Sequence, residues 1–360
     1  MIDKNSDMPI YKQIYNTLYD EIVRGAYDEQ GKLPCERELK RLFGVERNTV
    51  RKALKLLSDD GLIIKVPGYG TKIALNKKNP KNILFITRQD YFQQENSEYF
   101  HMKLIENLEK ILSLSNYNLI FKSADDYFDL IKAISYTEIS AIIFDSYNKS
   151  SLYKTARSIK IPCVSINHYT PEVTSIVSNN SDSSYKVVKM LMEAGHRKIA
   201  FIAGKENYQT TIERLNGIQS YYARNKLHFD KKYIIQGDWS FDSGVEAGEK
   251  FLAMSAEERP TAVFAFNDDM AYGCLSCFEK RGIAVPDEIS LIGFDKSDKY
   301  ASILRPINTV DVNIDVIVKY ALWYLMGCLE NKDPGAGAIV KIQIDTVIYD
   351  NKTVKVLSEL

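Results

Sequence analysis

A chain of 360 residues exceeds one typical domain and is long enough to bury a large core. Its 47 basic residues balance its 47 acidic ones, so total charge names no partner and local clustering must do so. No run approaches the roughly 18 apolar residues that span a bilayer, and MIDKNSDMPIYKQ lacks the basic-then-apolar order of a signal segment. Five cysteines, an odd number scattered at 35, 163, 274, 277 and 328, argue for reduced thiols rather than a disulfide framework. These features predict a cytoplasmic chain without a membrane partner.

Apolar residues at Ile10, Ile14, Leu18 and Ile22 predict a first helix that ends near Gly25. Pro34 suits the first turn of a second, CERELKRLFG, whose Leu39 and Leu42 face a core and whose Gly44 stands at the C-cap. After a tight turn, VERNTVRKALKLL places Val50, Ala53, Leu54 and Leu57 on one edge of a third helix. Arg47, Asn48, Arg51, Lys52 and Lys55 fill the gaps between them. Gly61 stops that helix. Ile63, Ile64 and Val66, then Pro67-Gly68-Tyr69-Gly70, then Thr71 and Ile73, predict a hairpin.

Three helices and a two-stranded wing can dock one helix into a major groove. From Lys32 to Lys55, eight basic residues (Lys32, Arg37, Lys40, Arg41, Arg47, Arg51, Lys52, Lys55) face three acidic ones (Glu36, Glu38, Glu46). The neutral whole therefore hides a patch of the kind phosphates require. Arg47, Asn48 and Arg51 open the third helix, the end that meets base edges, where Arg suits guanine and Asn suits adenine. Lys52 and Lys55, further along, are placed for phosphates or for no contact. A solvated helix face can also be basic without touching DNA; the wing and the LPCEREL helix weigh against that.

The run LPCERELKRLFGVERNTVRKALKLLSDDGLIIKVPGYGT, about 40 residues, resembles the winged-helix domain of the GntR family of bacterial repressors. That family's pattern is L-P-S-E-R-x-L-A, F-G-V-S-R-x-T-V-R-x-A-L, E-G-L-I and G-x-G-T. The resemblance implies that Arg37, Arg47, Thr49 and Arg51 meet DNA, with Gly68, Tyr69 and Gly70 at a wing tip near the minor groove. Cys35 and Glu46 replace the usual serines, and Pro67 replaces a glutamine or arginine. Glu46 matters most, because an acidic helix N-terminus favours the dipole but repels a nearby phosphate. Operator preference is therefore expected to differ from the family norm.

Residues 76–81, containing Lys77-Lys78-Asn79-Pro80-Lys81, read as a polar linker between a head, 1–75, and a body, 82–360. In the body, NILFITR, AIIFDSY, PCVSINH, KIAFIAG, TAVFAFND and ISLIGFD alternate with amphipathic segments. Continuous apolar strands separated by helices imply parallel sheets covered on both faces. Ligands of such sheets bind beyond the strands' carboxyl ends, so two similar lobes around a cleft are expected. Cys274 and Cys277 form a C-x-x-C pair on a predicted helix, but no second pair or nearby histidine completes a metal site, and buried thiols are expected there. No metal or cofactor is predicted.

The strands end in polar residues: Arg88-Gln89-Asp90, Asn167-His168, Asn267-Asp268 and Asp295. Loops add Arg214 and Trp239. Amide, carboxylate and guanidinium groups bind vicinal hydroxyls, and an indole face stacks on a sugar's C–H patch. Each polar strand end could equally be a helix cap. Together with Gly195-His196-Arg197, Arg214-Leu-Asn-Gly, Gly237-Asp-Trp239-Ser, Asn267-Asp268, Val285-Pro286 and Gly293-Phe-Asp295, these residues resemble the effector domain of the LacI/GalR family over residues 82 to 350. The resemblance implies a periplasmic-binding-protein-like fold and puts effector contacts on Asn167, Arg214, Trp239, Asn267 and Asp295. It adds His101, in Tyr99-Phe100-His101, and reads His196 as structural. Asn179-Asn180 departs from the family's Asp-Asn or Asp-Asp, Ser183-Ser184 from its Gly-Gly, and Asn167 replaces a common Asp.

A GntR-type head on a LacI-type body is similar to a hybrid group that includes arabinose repressors. The expectation is a homodimeric repressor that binds double-stranded operator DNA and is released by a small sugar. The alternatives are a sugar-binding protein or a cytoplasmic enzyme acting on a sugar. For the latter, Asp268-Asp269 is a poor candidate, since a glycosidase needs carboxyls flanking a bond, about 5 to 9.5 Å apart. The stripe in NIDVIVKYALWYLMGCLE, with Trp323, Tyr324 and Met326, could pack in the body or in a dimer.

Overall fold

The computed structural model describes residues 8–23, 27, 32–59, 62–66, 70–73, 81–87, 99–115, 117–124, 129–131, 134, 139–145, 150–158, 160–300, 302–330 and 338–357. The chain divides into two compact units, Met1–Pro80 and Lys81–Leu360. No helix among the described residues is long and apolar enough to cross a membrane.

The first unit holds α1 (Ile10–Val23), α2 (Glu36–Phe43), α3 (Arg47–Asp59), β1 (Ile63–Val66) and β2 (Gly70–Ile73). Ile14, Leu18, Ile22, Leu33, Leu39, Val50, Ala53, Leu54, Leu57 and Ile63 close one apolar cluster. Leu42 departs from expectation: it is 65% exposed rather than in that core. Pro34 also stands outside α2. Lys32 bridges Lys72, and the Leu33 amide donates to the Thr71 carbonyl, so the chain stays extended alongside β2 through Pro34. Cys35 becomes the N-cap, and its amide donates to Glu38 Oε2 at 2.7 Å, the return half of a capping box. Gly44, at φ 64°, ends the helix.

β1 and β2 pair antiparallel, with Ile63 opposite Ile73 and Val66 opposite Gly70. Gly70 has φ 108°, a conformation that L side chains rarely adopt. Pro67, Gly68 and Tyr69 lie outside the described residues, and so does Gly61.

The second unit begins with β3 (Lys81–Thr87), so Lys81 belongs to a strand and not to the expected linker. Then come α4 (Tyr99–Leu112), β4 (Tyr117–Ser123), β5 (Ile139–Asp145), α5 (Ser150–Ser158), β6 (Cys163–Ile166) and β7 (Thr174–Ser178). With β13 (Lys341–Ile344), these strands form a parallel sheet in the order β13-β7-β6-β5-β3-β4. The chain crosses to a second lobe through α6 (Asn180–Glu193), β8 (Ile199–Ala203), α7 (Gln209–Arg224), β9 (Ile234–Gln236), α8 (Phe241–Leu252), β10 (Ala262–Ala265), α9 (Asp268–Lys280) and β11 (Ser290–Ile292). Its parallel sheet runs β11-β10-β8-β9. β8 and β10 are buried at every position, as strands covered on both faces must be.

The chain returns through β12 (Thr309–Asp311) to α10 (Ile314–Leu329) and, after β13, crosses again to β14 (Val347–Tyr349), which pairs antiparallel with β12. The three crossings are bonded to one another. Asn179 N donates to Ile344 O at 3.0 Å, its Nδ2 to Asp345 Oδ1 at 3.4 Å, and Asn313 Nδ2 to Asp345 O at 2.7 Å. α10 buries Ile317, Val318, Ala321 and Leu325 in the body and leaves Trp323 56% exposed. Cys274 and Cys277 are buried where α9 meets α8. His196 pairs through Nδ1 with Thr261 Oγ1 at 3.0 Å and through Nε2 with Lys355 O at 3.1 Å, joining α6's end to the C-terminal segment.

His168, between β6 and β7, stacks 6.4 Å from Tyr153, and burial pushes its imidazole down to about 4. The unfolded chain therefore binds the extra proton first, and stability falls as pH drops from about 6.5 towards 4. Thermal unfolding of His168→Phe across that window should show a shallower acid loss than the parent chain. Identical profiles would mean that His168 does not carry it.

Candidate functional site

In the head, Arg37, Arg47, Asn48, Arg51 and Lys52 are exposed, and Thr49 is half-buried. Four of these five exposed groups open or line α3, and one carboxylate organises two of them. Glu36 begins α2, and its side chain is 15% exposed. Its Oε2 accepts from Arg47 Nε at 2.8 Å and Arg51 Nε at 2.9 Å, while Lys65 Nζ lies 3.4 Å from Oε1. Burial raises the carboxyl's pKa, but the hydrogen bonds from Arg47, Arg51 and Lys65 outweigh it and hold the group ionised below its usual range. These bonds use Nε and leave both Nη groups of each arginine out of the pair, which is the fork that reads guanine.

Sequence reasoning counted Glu36 only as a negative charge in the patch. Nothing in its spacing shows that α2's first turn abuts α3's first turn. Glu46 is paired too: Lys40 Nζ lies 3.2 Å from its carboxylate, which tempers the phosphate repulsion expected of it.

In the body, Arg214 projects from α7 and is 5% exposed. Its Nε donates to Asn180 Oδ1 at 3.1 Å and its Nη1 to the Phe266 carbonyl. Its Nη2 lies 3.7 Å from Asp295 Oδ1, and the guanidinium covers the Phe294 ring at 3.6 Å from the centroid. The Trp239 ring is 5.8 Å from the guanidinium and packs on Gly204, where an added Cβ would come within 1.9 Å of Cζ2. The ring is 5% exposed, so the chain itself covers the face expected to stack on a ligand. Asn267 caps α9 by accepting from Met270 N at 2.9 Å and donates to the Trp239 carbonyl at 2.8 Å. Asn267 is therefore a helix cap, and the same side chain ties the Trp239 loop to α9.

Asp295 and Lys296 follow β11 at φ 101° and 58°, two successive residues in the left-handed region. The strain is held by Asp295 N donating to Val310 O at 2.7 Å, Lys296 N to Thr309 Oγ1 at 3.2 Å, and Lys296 Nζ to Asp311 at 2.9 Å. Asp268 supports the same turn. It accepts from Thr309 Oγ1 at 2.8 Å and from Ser297 N at 2.6 Å. Burial, and then the charge of Asp295, push its carboxyl well above the usual range. Asp269 accepts from Lys299 Nζ at 3.2 Å. Both of these paired carboxylates are engaged in anchoring one loop.

Arg214, Trp239, Asn267 and Asp295 therefore converge in the four-stranded lobe. Asn167 and His101 belong to the six-stranded lobe. Asn167 has φ 58°, with its amide on Ile176 O at 3.1 Å. His101 is 6% exposed, and its Nδ1 lies 2.6 Å from Asp145 Oδ2 in a buried pair. Asn180, noted in the sequence only as a family departure, proves to be the acceptor that orients Arg214.

Residues 167–349 match the periplasmic binding protein-like domain, and residues 10–73 match the gntR family of bacterial regulatory proteins. The arabinose metabolism transcriptional repressor of Geobacillus stearothermophilus is 25% identical over 306 residues, 81% of this chain and 83% of the relative. The HTH-type transcriptional repressor PurR of Photobacterium profundum is 30% identical over 245 residues, 65% of this chain and 72% of the relative. The crystal structure of a LacI family transcriptional regulator from Enterococcus faecium, with bound ribose, shares the fold at TM-score 0.67 and 17% identity, over 77% of this chain and 100% of that one.

Gly204→Ala should displace the Trp239 ring and destabilise the fold by about 1–3 kcal/mol, as overpacked cores do. Denaturant unfolding, with emission recorded in a Trp323→Phe background, checks both effects. A variant with unaltered stability and spectrum would contradict the packing of Trp239 on Gly204.

Proposed function

Because the chain belongs to the family of transcriptional regulators built on a periplasmic-binding-protein-like domain, here with a gntR-type head, we propose that it is a cytoplasmic, dimeric repressor released from operator DNA by a small sugar. The observation that carries the DNA half is the Glu36 carboxylate setting Arg47 and Arg51 side by side at the start of α3. In this reading Arg37, Arg47, Asn48, Thr49 and Arg51 meet base edges or their flanking phosphates. Lys52 meets the backbone, and Gly68, Tyr69 and Gly70 reach the minor groove. Two such heads on a symmetric dimer read the two halves of a pseudo-palindrome.

The sugar half rests on hydrogen-bonding chemistry. A guanidinium, a carboxylate and an amide from Arg214, Asp295 and Asn267 gather beside Trp239, a set suited to vicinal hydroxyls. Asn167 and His101 are the contributors proposed from the other lobe. The arabinose repressor and the ribose-bound regulator among the similar proteins support a sugar as the ligand class. The effector shifts DNA affinity only through its differential affinity for two lobe arrangements, typically ~1–3 kcal/mol of coupling. No resident metal, cofactor or catalytic step enters this reading. An enzyme reading would need an available carboxylate pair, and Asp268 is committed to Thr309 and Ser297.

Fluorescence anisotropy of the full chain on its own upstream DNA, titrated with pentoses, hexoses and their phosphates, tests the proposal. Tight binding relieved by one sugar supports it; absence of specific binding at low salt would overturn it. Arg51→Ala should weaken operator binding by about 1–3 kcal/mol at fixed salt, and wild-type affinity would remove Arg51 from the interface. Arg214→Ala should leave that affinity intact and abolish release, so a preserved response would place the effector elsewhere.

A further inference from the structure

Three polar side chains that the proposed function does not use form an unbroken run that ends on Arg214. The Tyr169 amide, in the β6–β7 connection of the six-stranded lobe, donates to Gln209 Oε1 at 2.9 Å. Gln209 Nε2 donates to Glu213 Oε1 at 2.9 Å. Asn180 Nδ2 donates to Glu213 Oε2 at 2.9 Å, and Asn180 Oδ1 accepts from Arg214 Nε at 3.1 Å. We infer that Gln209, Glu213 and Asn180 are positioning residues that tie the orientation of Arg214 to the closure of the two lobes. The inference rests on the role proposed for Arg214, but its first readout needs no effector.

The run has one polarity. Each amide oxygen accepts, each amide nitrogen donates, and each Glu213 oxygen takes one bond, so turning any amide over breaks two bonds at once. Gln209 and Glu213 are i and i+4 on α7, on one face of the helix, with Arg214 next in the chain. The first bond crosses between the lobes, and the other three lie within the four-stranded lobe. Its donor is firmly presented: Asn167 N bonds Ile176 O at 3.1 Å, Ser165 Oγ bonds His168 O at 2.7 Å, and Thr170 N bonds Ser175 Oγ at 3.2 Å, on either side of Tyr169. When the lobes part, Gln209 loses its donor and its amide is released to turn. Glu213 and Asn180 then lose their fixed register, and Arg214 loses the acceptor that aims Nε. Closure thus sets the arginine before a ligand is judged.

The chain supplies its own reporter. Its two tryptophans are Trp239, 5% exposed and beside Arg214, and Trp323, which is exposed. In a Trp323→Phe background, acrylamide quenching of Trp239 reads the packing around Arg214. Gln209→Glu keeps the acceptor for Tyr169 but sets two carboxylates face to face. Glu213→Gln leaves two amides competing to donate. Each single variant should raise quenching several-fold. The double variant, Gln209→Glu with Glu213→Gln, restores every bond with the charge moved four residues, and should return quenching to the parent value. Gln209→Leu, which severs the crossing bond without adding charge, should behave like the single variants.

Thermal unfolding of each variant should stay near the parent's. Unaltered quenching in the single variants, or a double variant no better than either, would overturn the relay. A parent chain that binds no sugar would instead remove the ligand reading and leave the quenching result standing.

Discussion

A guanidinium that loses its water must recover several kcal/mol from its surroundings, and Arg214, at 5% exposure, places that demand at the centre of the body. The local architecture is the response. The end of β10 supplies a carbonyl, the start of α6 an amide oxygen, the turn after β11 a carboxylate, and Phe294 a ring face. Each provider is then constrained in turn. Asp295 is held in a left-handed turn by Thr309, Val310 and Asp268, and Asn267 ties the neighbouring Trp239 loop to α9. The polar residues at the strand ends are therefore one connected solution to a single desolvation problem.

The head uses the same device with the signs exchanged. There a largely covered carboxylate, Glu36, is compensated by two arginines and a lysine, and it fixes their direction as they compensate it. A charge that is costly to bury gives geometric definition, because its partners have few alternative positions. In the head that definition falls on cations that face outward; in the body it falls on a buried cation.

How far this was legible in the sequence varies by feature. Helices α1 and α3 were, because their apolar residues recur at a helical period with glycines beyond, and the largely buried strands β3, β5, β6, β8, β10 and β11 were, because each carries a continuous apolar run. β4 and β9 were not: both are edge strands, half-buried, with polar residues mixed in. Leu42 and Pro34 misled for a local reason, since the pairing of Lys32 and Leu33 with β2 delays the start of α2. Among the candidate site residues, Asn267 and Asp295 stood out by chemical type and by position at strand ends, and Arg214 and Trp239 by chemical type in the segments between strands. Glu36, Asn180 and Glu213 did not, because their importance lies in what they face across a gap in the chain, and a single sequence carries no record of that.

The edge pairing of β13 has a consequence for the order of events during synthesis. Lys341–Ile344 completes its sheet by pairing with Ser175–Ser178, and α10 covers the face formed by β5, β6 and β7. The six-stranded lobe is thus made from two stretches of chain, with all four sheet strands of the other lobe translated between them. The intervening lobe has its own strands in hand first, and can fold while the earlier one still waits for a strand and a covering helix. A nascent chain therefore carries a sheet with one open edge and one bare face until translation passes Ile344, which is the interval in which a chaperone would find its substrate.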